Sequence, residues 1–171
     1  MTSAVLTIIS AAALAAAGIA AAAHPRDAAP AVPPRAVLDA LGPQAYTPQT
    51  AREGAVVRGA DIPLPAGGNF NGIRWEDMPA GEIPNGTVDA LLEHNAACQW
   101  LRAWRRGSGT AREAFRRTAT WPALRSSPIA AVADQASRGR GRDFAAMLAQ
   151  CNTSHGREVA YARKLGLTPS T

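Results

Sequence analysis

Two cysteines and two histidines sit at matched spacing in this chain. His94 lies four residues before Cys98, and His155 lies four residues after Cys151. On helices, residues four apart share a face, so these four side chains admit two chemistries. Oxidised, Cys98 and Cys151 form a single disulfide. It closes a loop of about 54 residues and contributes roughly 4 kcal/mol in the chain-entropy account. Reduced, two thiolates and two imidazoles offer the donor types of a tetrahedral zinc site. The pair is the chain's whole cysteine content, and in an exported chain such a pair is expected to be oxidised. The disulfide is therefore the expected state, with no metal and no cofactor.

Other chemistry is thin. The sequence has no Gly-x-Ser-x-Gly elbow, no His-Glu-x-x-His, no phosphate loop and no dinucleotide fingerprint. His155 and Glu158, at i and i+3, come nearest to an acid/base pair. Asp61, Glu76, Asp77 and Glu82 are oxygen donors, but their spacing matches no 12-residue EF-hand loop. The expectation is a protein that is not an enzyme, with an enzyme of unrecognised class as the alternative resting on His155 and Glu158.

Charge supplies the stronger pointer. The net charge is +5, and Lys164 is the only lysine. From His24 to Pro84 there are five arginines against seven acids; from Asn85 to Thr171 there are twelve arginines and one lysine against six acids. The C-terminal half is thus basic. Arg102, Arg105, Arg106, Arg112, Arg116 and Arg117 form its densest run and the candidate surface for an anionic partner. Anionic lipid and an acidic envelope polymer are the partner classes that fit, and a membrane-protein partner is the alternative. Nucleic acid is disfavoured, because the arginines lack the interleaved aromatics of a nucleic-acid module. The arginine, alanine, glycine and proline bias reads as the coding bias of a GC-rich bacterial genome.

The elements that must position these residues are helices, about four of them, between 87 and 165. Thr87 caps the first, and Gly107 ends it after Arg105 and Arg106. Thr110 and Glu113 have capping-box spacing for a second, which closes at Trp121-Pro122. Ser127-Pro128 starts a third. Phe144, Met147, Leu148 and Cys151 recur at helical spacing in a fourth, from Arg142 to Leu165, with Asn152 to Gly156 as its weak point. The fold expected is all-α: a small helical bundle of about four helices, preceded by an N-terminal apolar helix and a Pro/Gly-rich irregular connector.

The connector divides in two. Residues 24–60 read as an Ala/Pro-rich linker with one possible helical turn between Pro34 and Pro43. Residues 61–86 read as an extended arm that lies on the helical domain of 87–171, with Trp75 as its hydrophobic anchor. Residues 1–23 hold an uncharged run, Ala4 to Ala23, of 20 residues. That run fits a signal peptide with an A-x-A pattern ahead of His24, and it fits a weakly apolar membrane anchor. The chain is accordingly expected to be exported or membrane-anchored, with its helical domain outside the cytoplasm, as an interaction or accessory protein of the cell envelope. The alternative is a single-span small subunit of a membrane complex.

Overall fold

The computed structural model describes residues 35–78, 81–136 and 142–171. The apolar run, the first part of the linker and residues 79–80 and 137–141 lie outside the described residues. The described chain is mostly helical. Its elements in order are α1 (Arg35–Leu41), β1 (Ala45–Tyr46), α2 (Pro48–Arg58), a 3-10 turn at Trp75–Asp77, β2 (Ile83–Pro84), α3 (Asn85–Arg105), α4 (Ala111–Arg117), a 3-10 turn at Thr118–Thr120, α5 (Pro128–Gln135) and α6 (Arg142–Lys164). Among the described residues, no helix is long and apolar enough to cross a membrane.

The centre is α3, and two apolar clusters share it. Its N-terminal half contributes Val88, Leu92 and Ala96 to a cluster with Tyr46, Ala51, Ala55, Ile73 and Trp75. Its C-terminal half contributes Ala97, Cys98 and Leu101 to a cluster with Phe115 of α4, Ile129 and Ala133 of α5, and Met147 and Cys151 of α6. Trp121 packs against both clusters. The apolar stripe rotates along α3 because the partners change from one side to the other. Gly107, at φ +93°, ends the helix, and the Ser108 amide donates to the Ala103 carbonyl.

Within the stretch expected as a linker, a helix forms where one turn was expected between Pro34 and Pro43, and a second, unexpected helix follows it. Residues 35–41 form α1, and residues 48–58 form α2, whose inner side belongs to the core. Thr47 caps α2: its hydroxyl accepts from the Thr50 amide, the Thr50 hydroxyl accepts from the Thr47 amide, and Pro48 occupies the first turn. The capping box uses Thr50 where an acid or amide is usual. The buried strip is Ala51, Ala55 and Arg58, whereas Val56 is 76 % exposed. Hydrophobic periodicity therefore points the wrong way along this helix, and no apolar stripe announces it.

Arg58 can be buried because two carboxylates meet it. Its guanidinium donates to both oxygens of Asp89, at 2.9 and 2.8 Å, and to Asp39. These bonds to Asp89 outweigh burial and hold its pKa above the ordinary arginine range. Arg35 extends the network to Glu93 at 2.6 Å, and Glu93 also accepts from the Ala123 amide at 2.9 Å. The network ties α1 and α2 to α3 and to the segment after α4.

Three further details depart from expectation. Helix α3 starts at Asn85 after Pro84, where β2 pairs antiparallel with β1 in the register Ala45↔Pro84 and Tyr46↔Ile83. Thr110 does not cap α4; its backbone is already helical and its side chain makes no capping bond. Helix α6 runs unbroken through Asn152 to Gly156. By contrast, Ser127 caps α5 by accepting from the Ala130 amide, with Pro128 at its start.

Two substitutions test this core. Ala51→Leu overpacks the α2–α3 contact and is expected to cost about 1–3 kcal/mol in urea unfolding, whereas Val56→Ser stays within about 0.5 kcal/mol. Arg58→Met leaves Asp89 buried without its main counter-charge and is expected to lower unfolding stability at neutral pH by about 3–5 kcal/mol.

Candidate functional site

The arm between α2 and β2 forms one wall of the most chemically varied cleft described. Its backbone is held down by side chains of α3. Trp100 Nε1 donates to the Pro63 carbonyl at 2.8 Å, and Gln99 Nε2 donates to the Asn69 carbonyl at 2.8 Å. The C-terminal segment meets it too: Asn71 Nδ2 donates to the Thr168 carbonyl at 2.9 Å. Gly72 lies flat against α6, where a Cβ would fall 2.5 Å from the Glu158 Cβ. Trp75 is 1 % exposed and fills the cluster around Val88 and Leu92.

Between this arm, α3 and α6 opens a cleft of about 240 Å³. The arm lines it with Arg74, Asp77 and Met78; α3 with His94, Asn95 and Cys98; and α6 with Ser154, Arg157 and Glu158. Arg74 and Asp77 pair at 2.9 Å. Burial pushes His94 below its ordinary value of 6.5, which favours neutral imidazole. Burial also pushes Glu158 up, against the opposing pull of Asn95, Arg102 and Arg157. Burial thus favours the uncharged form of both groups, the neutral imidazole and the protonated carboxyl.

The disulfide borders this cleft. Cys98 and Cys151 are joined, with their Cα atoms 5.3 Å apart. The sulfurs are bonded to each other, which leaves no thiolate for the zinc reading. Among the described residues, no group of three or more His, Cys, Asp or Glu is arranged to hold a metal. His94 Nε2 lies 3.8 Å from Cys98 Sγ. His155 is not among the residues lining the cleft, and its Nδ1 is buried without a hydrogen-bond partner. Glu158 therefore shares its cleft with His94, not with His155 as the sequence suggested.

The acids of the arm are dispersed. Glu76 bonds to Arg52 and to the Tyr161 hydroxyl, and Arg52 also donates to that hydroxyl at 2.5 Å. The guanidinium carbons of Arg52 and Arg74 each lie 5.7 Å from the centre of the Tyr161 ring. This cluster fastens α2 and the arm to α6 and leaves no shared calcium cage.

The candidate arginine surface loses one member. Arg102 is 4 % exposed, and it donates to the main-chain oxygen of Thr171 at 3.1 Å. Burial lowers its pKa to about 10, with Glu158 opposing the shift. It points inward because α3 is enclosed at that turn. Arg105, Arg106, Arg112, Arg116 and Arg117 are exposed at the α3–α4 corner and along α4. Glu113 pairs with Arg116 at 3.1 Å and with Arg117 at 3.5 Å. Arg112 lies over the Trp104 ring at 5.7 Å and donates to the Ala136 carbonyl at 3.5 Å.

Sequence reasoning missed the part the arm plays in the cleft, and missed that His94 and Glu158 share it. The available signal was the run of polar residues Asp89, Glu93, Asn95 and Gln99 inside an otherwise apolar helix; all four are buried. No protein-family model, no curated protein and no solved structure matches this chain.

The low His94 pKa has a stability consequence. A histidine whose folded pKa is depressed stabilises the fold while neutral, and that stability is lost as pH falls from the ordinary 6.5 through the folded value. In that window the slope is at most about 1.4 kcal/mol per pH unit. His94→Gln is expected to flatten the fall in Tm below pH 6.5 relative to the unsubstituted protein, measured by thermal unfolding between pH 5 and pH 7.

Proposed function

We propose that the protein is an exported, non-enzymatic module of the cell envelope that binds an acidic polymer through the α3–α4 corner. The observation that carries this reading is charge. Between His94 and Ala133 there are seven arginines and a single acid, Glu113, and Arg105, Arg106, Arg112, Arg116 and Arg117 are solvent-exposed. A concentration of one sign on a folded surface attracts polyanions over several ångströms and depends on ionic strength. The Cys98–Cys151 bond supports an oxidising compartment, because such bonds persist outside the cytosol. The uncharged run of residues 4–23 would act as the export signal, with the bundle of α3 to α6 as the exported binding domain.

An acidic polymer fits better than a bilayer. Among the described residues, the large exposed apolar side chains are Val37, Val56, Val57, Leu165 and Leu167. None of these belongs to the arginine corner, which therefore offers little apolar surface to the acyl region of a lipid surface. A second reading, a single-span small subunit of a membrane complex, rests on the same uncharged run being retained. N-terminal sequencing of the mature protein separates the two: a chain beginning at His24 supports export with cleavage, and one beginning at Met1 supports the anchor.

Binding is tested with polyuronate, polyphosphate and vesicles containing anionic lipid, each titrated at low and physiological salt. The expected result is salt-sensitive polymer binding that the double substitution Arg105→Glu/Arg106→Glu weakens at least about tenfold, since like charges now face the polymer. No binding at low salt, or binding indifferent to the substitution, would overturn the proposal. Binding to the vesicles alone would move the partner to lipid.

A further inference from the structure

We infer that Cys98 is a site of S-thiolation: a low-molecular-weight thiol entering the cleft between the arm, α3 and α6 opens the Cys98–Cys151 disulfide at the Cys98 sulfur. The inference is independent of the arginine corner and of any polymer bound there.

The two ends of the bond differ in surroundings. Both sulfurs belong to the cluster of Leu101, Phe115 and Met147, but Cys98 also lines the cleft and is 7 % exposed, whereas Cys151 is absent from the lining and is 1 % exposed. Thiol–disulfide exchange requires the attacking sulfur to reach one sulfur of the bond, and access decides which. The cleft gives that access on the Cys98 side. Its volume of about 240 Å³ accommodates a thiol-bearing chain of a few atoms, with the rest of the molecule in solvent.

The cleft also holds a proton acceptor at the right place. His94 Nε2 is 3.8 Å from Cys98 Sγ, and burial favours its neutral form. The charged groups facing the same space are Arg74 and Asp77 from the arm and Arg157 and Glu158 from α6. Asp77 already pairs with Arg74. Arg157, at the exposed rim, favours an incoming thiolate over the neutral thiol.

The step balances without another reagent. The thiol RSH gives its proton to His94 Nε2, with the ring in its Nδ1–H tautomer. The thiolate sulfur bonds to Cys98 Sγ. The Cys98–Cys151 bond breaks, its electron pair goes to Cys151 Sγ, and that sulfur takes the proton from His94, which returns the ring to its neutral form. The products are R–S–S–Cys98 and the Cys151 thiol. In its apolar surroundings Cys151 is stable as a neutral thiol, and its return to Cys98 reverses the reaction.

The test uses the full chain under native conditions with excess reduced glutathione. After an acid quench and alkylation of free thiols, peptide mass spectrometry assigns each cysteine. The inference requires glutathione on the Cys98 peptide and the alkyl group on the Cys151 peptide, by at least about tenfold over the reverse arrangement. His94→Gln is expected to slow adduct formation by at least about tenfold, within the lower reach of acid–base assistance. Glutathione on Cys151, equal sharing, or opening only in denaturant that unfolds the chain would overturn the inference. An unchanged rate in the variant would remove His94 as the proton acceptor. Should that variant not fold, the distribution of adduct in the unsubstituted protein decides the matter alone.

Discussion

The enclosure of α3 is the constraint on which the rest of the structure depends. Of its 21 residues, twelve are buried, and five of those are polar or charged: Asp89, Glu93, Asn95, Gln99 and Arg102. A helix buried on more than one side needs partners all round, and its polar groups need hydrogen bonds where water is excluded. The partners explain most of what lies around it. Arg58 and Arg35 answer Asp89 and Glu93. The Asn69 carbonyl and Asn95 receive the Gln99 amide. Helices α4, α5 and α6 cover the apolar half, and α2 with the arm covers the other.

This constraint also creates the cleft. The arm must approach α6 closely to cover α3, which Gly72 permits at Glu158. Where arm, α3 and α6 meet, the surfaces do not close, and the residues left at the opening are those α3 and α6 hold at helical spacing: His94 with Cys98, and Ser154 with Glu158. The disulfide lies at the same junction and joins α3 to α6. Its loop-closing effect falls on the unfolded chain, while its position decides which sulfur faces solvent. The cleft and the position of the disulfide thus follow from the incomplete cover of a central helix, while the shifted ionisation of His94 and Glu158 follows from their burial within it.

Much of this was legible in the sequence, and the rest failed for identifiable reasons. The C-terminus of α3 and the start of α5 were readable because Gly107 and Ser127-Pro128 act locally. The disulfide was readable because two cysteines fall on apolar helix faces. Trp75 was readable as the arm's anchor because a tryptophan in an irregular stretch needs somewhere to go. Helix α2 was hidden because it buries alanines and an arginine while exposing Val56. Arg102 was misplaced on the surface because charge density along the chain does not say which face of a helix is covered. The cleft was hidden for a different reason: its walls come from segments about 20 and 60 residues apart, joined by the long-range fit of Gly72 to Glu158 that no local spacing encodes.

The most direct test is the state of the two cysteines. The isolated protein would be denatured without reductant in the presence of an alkylating agent, with a reduced and denatured sample as the control, and both weighed intact. The account predicts no alkyl groups before reduction and two after it. Two alkyl groups before reduction would contradict the covalent tie between α3 and α6, and with it the argument for an oxidising compartment and the proposed reactivity of Cys98.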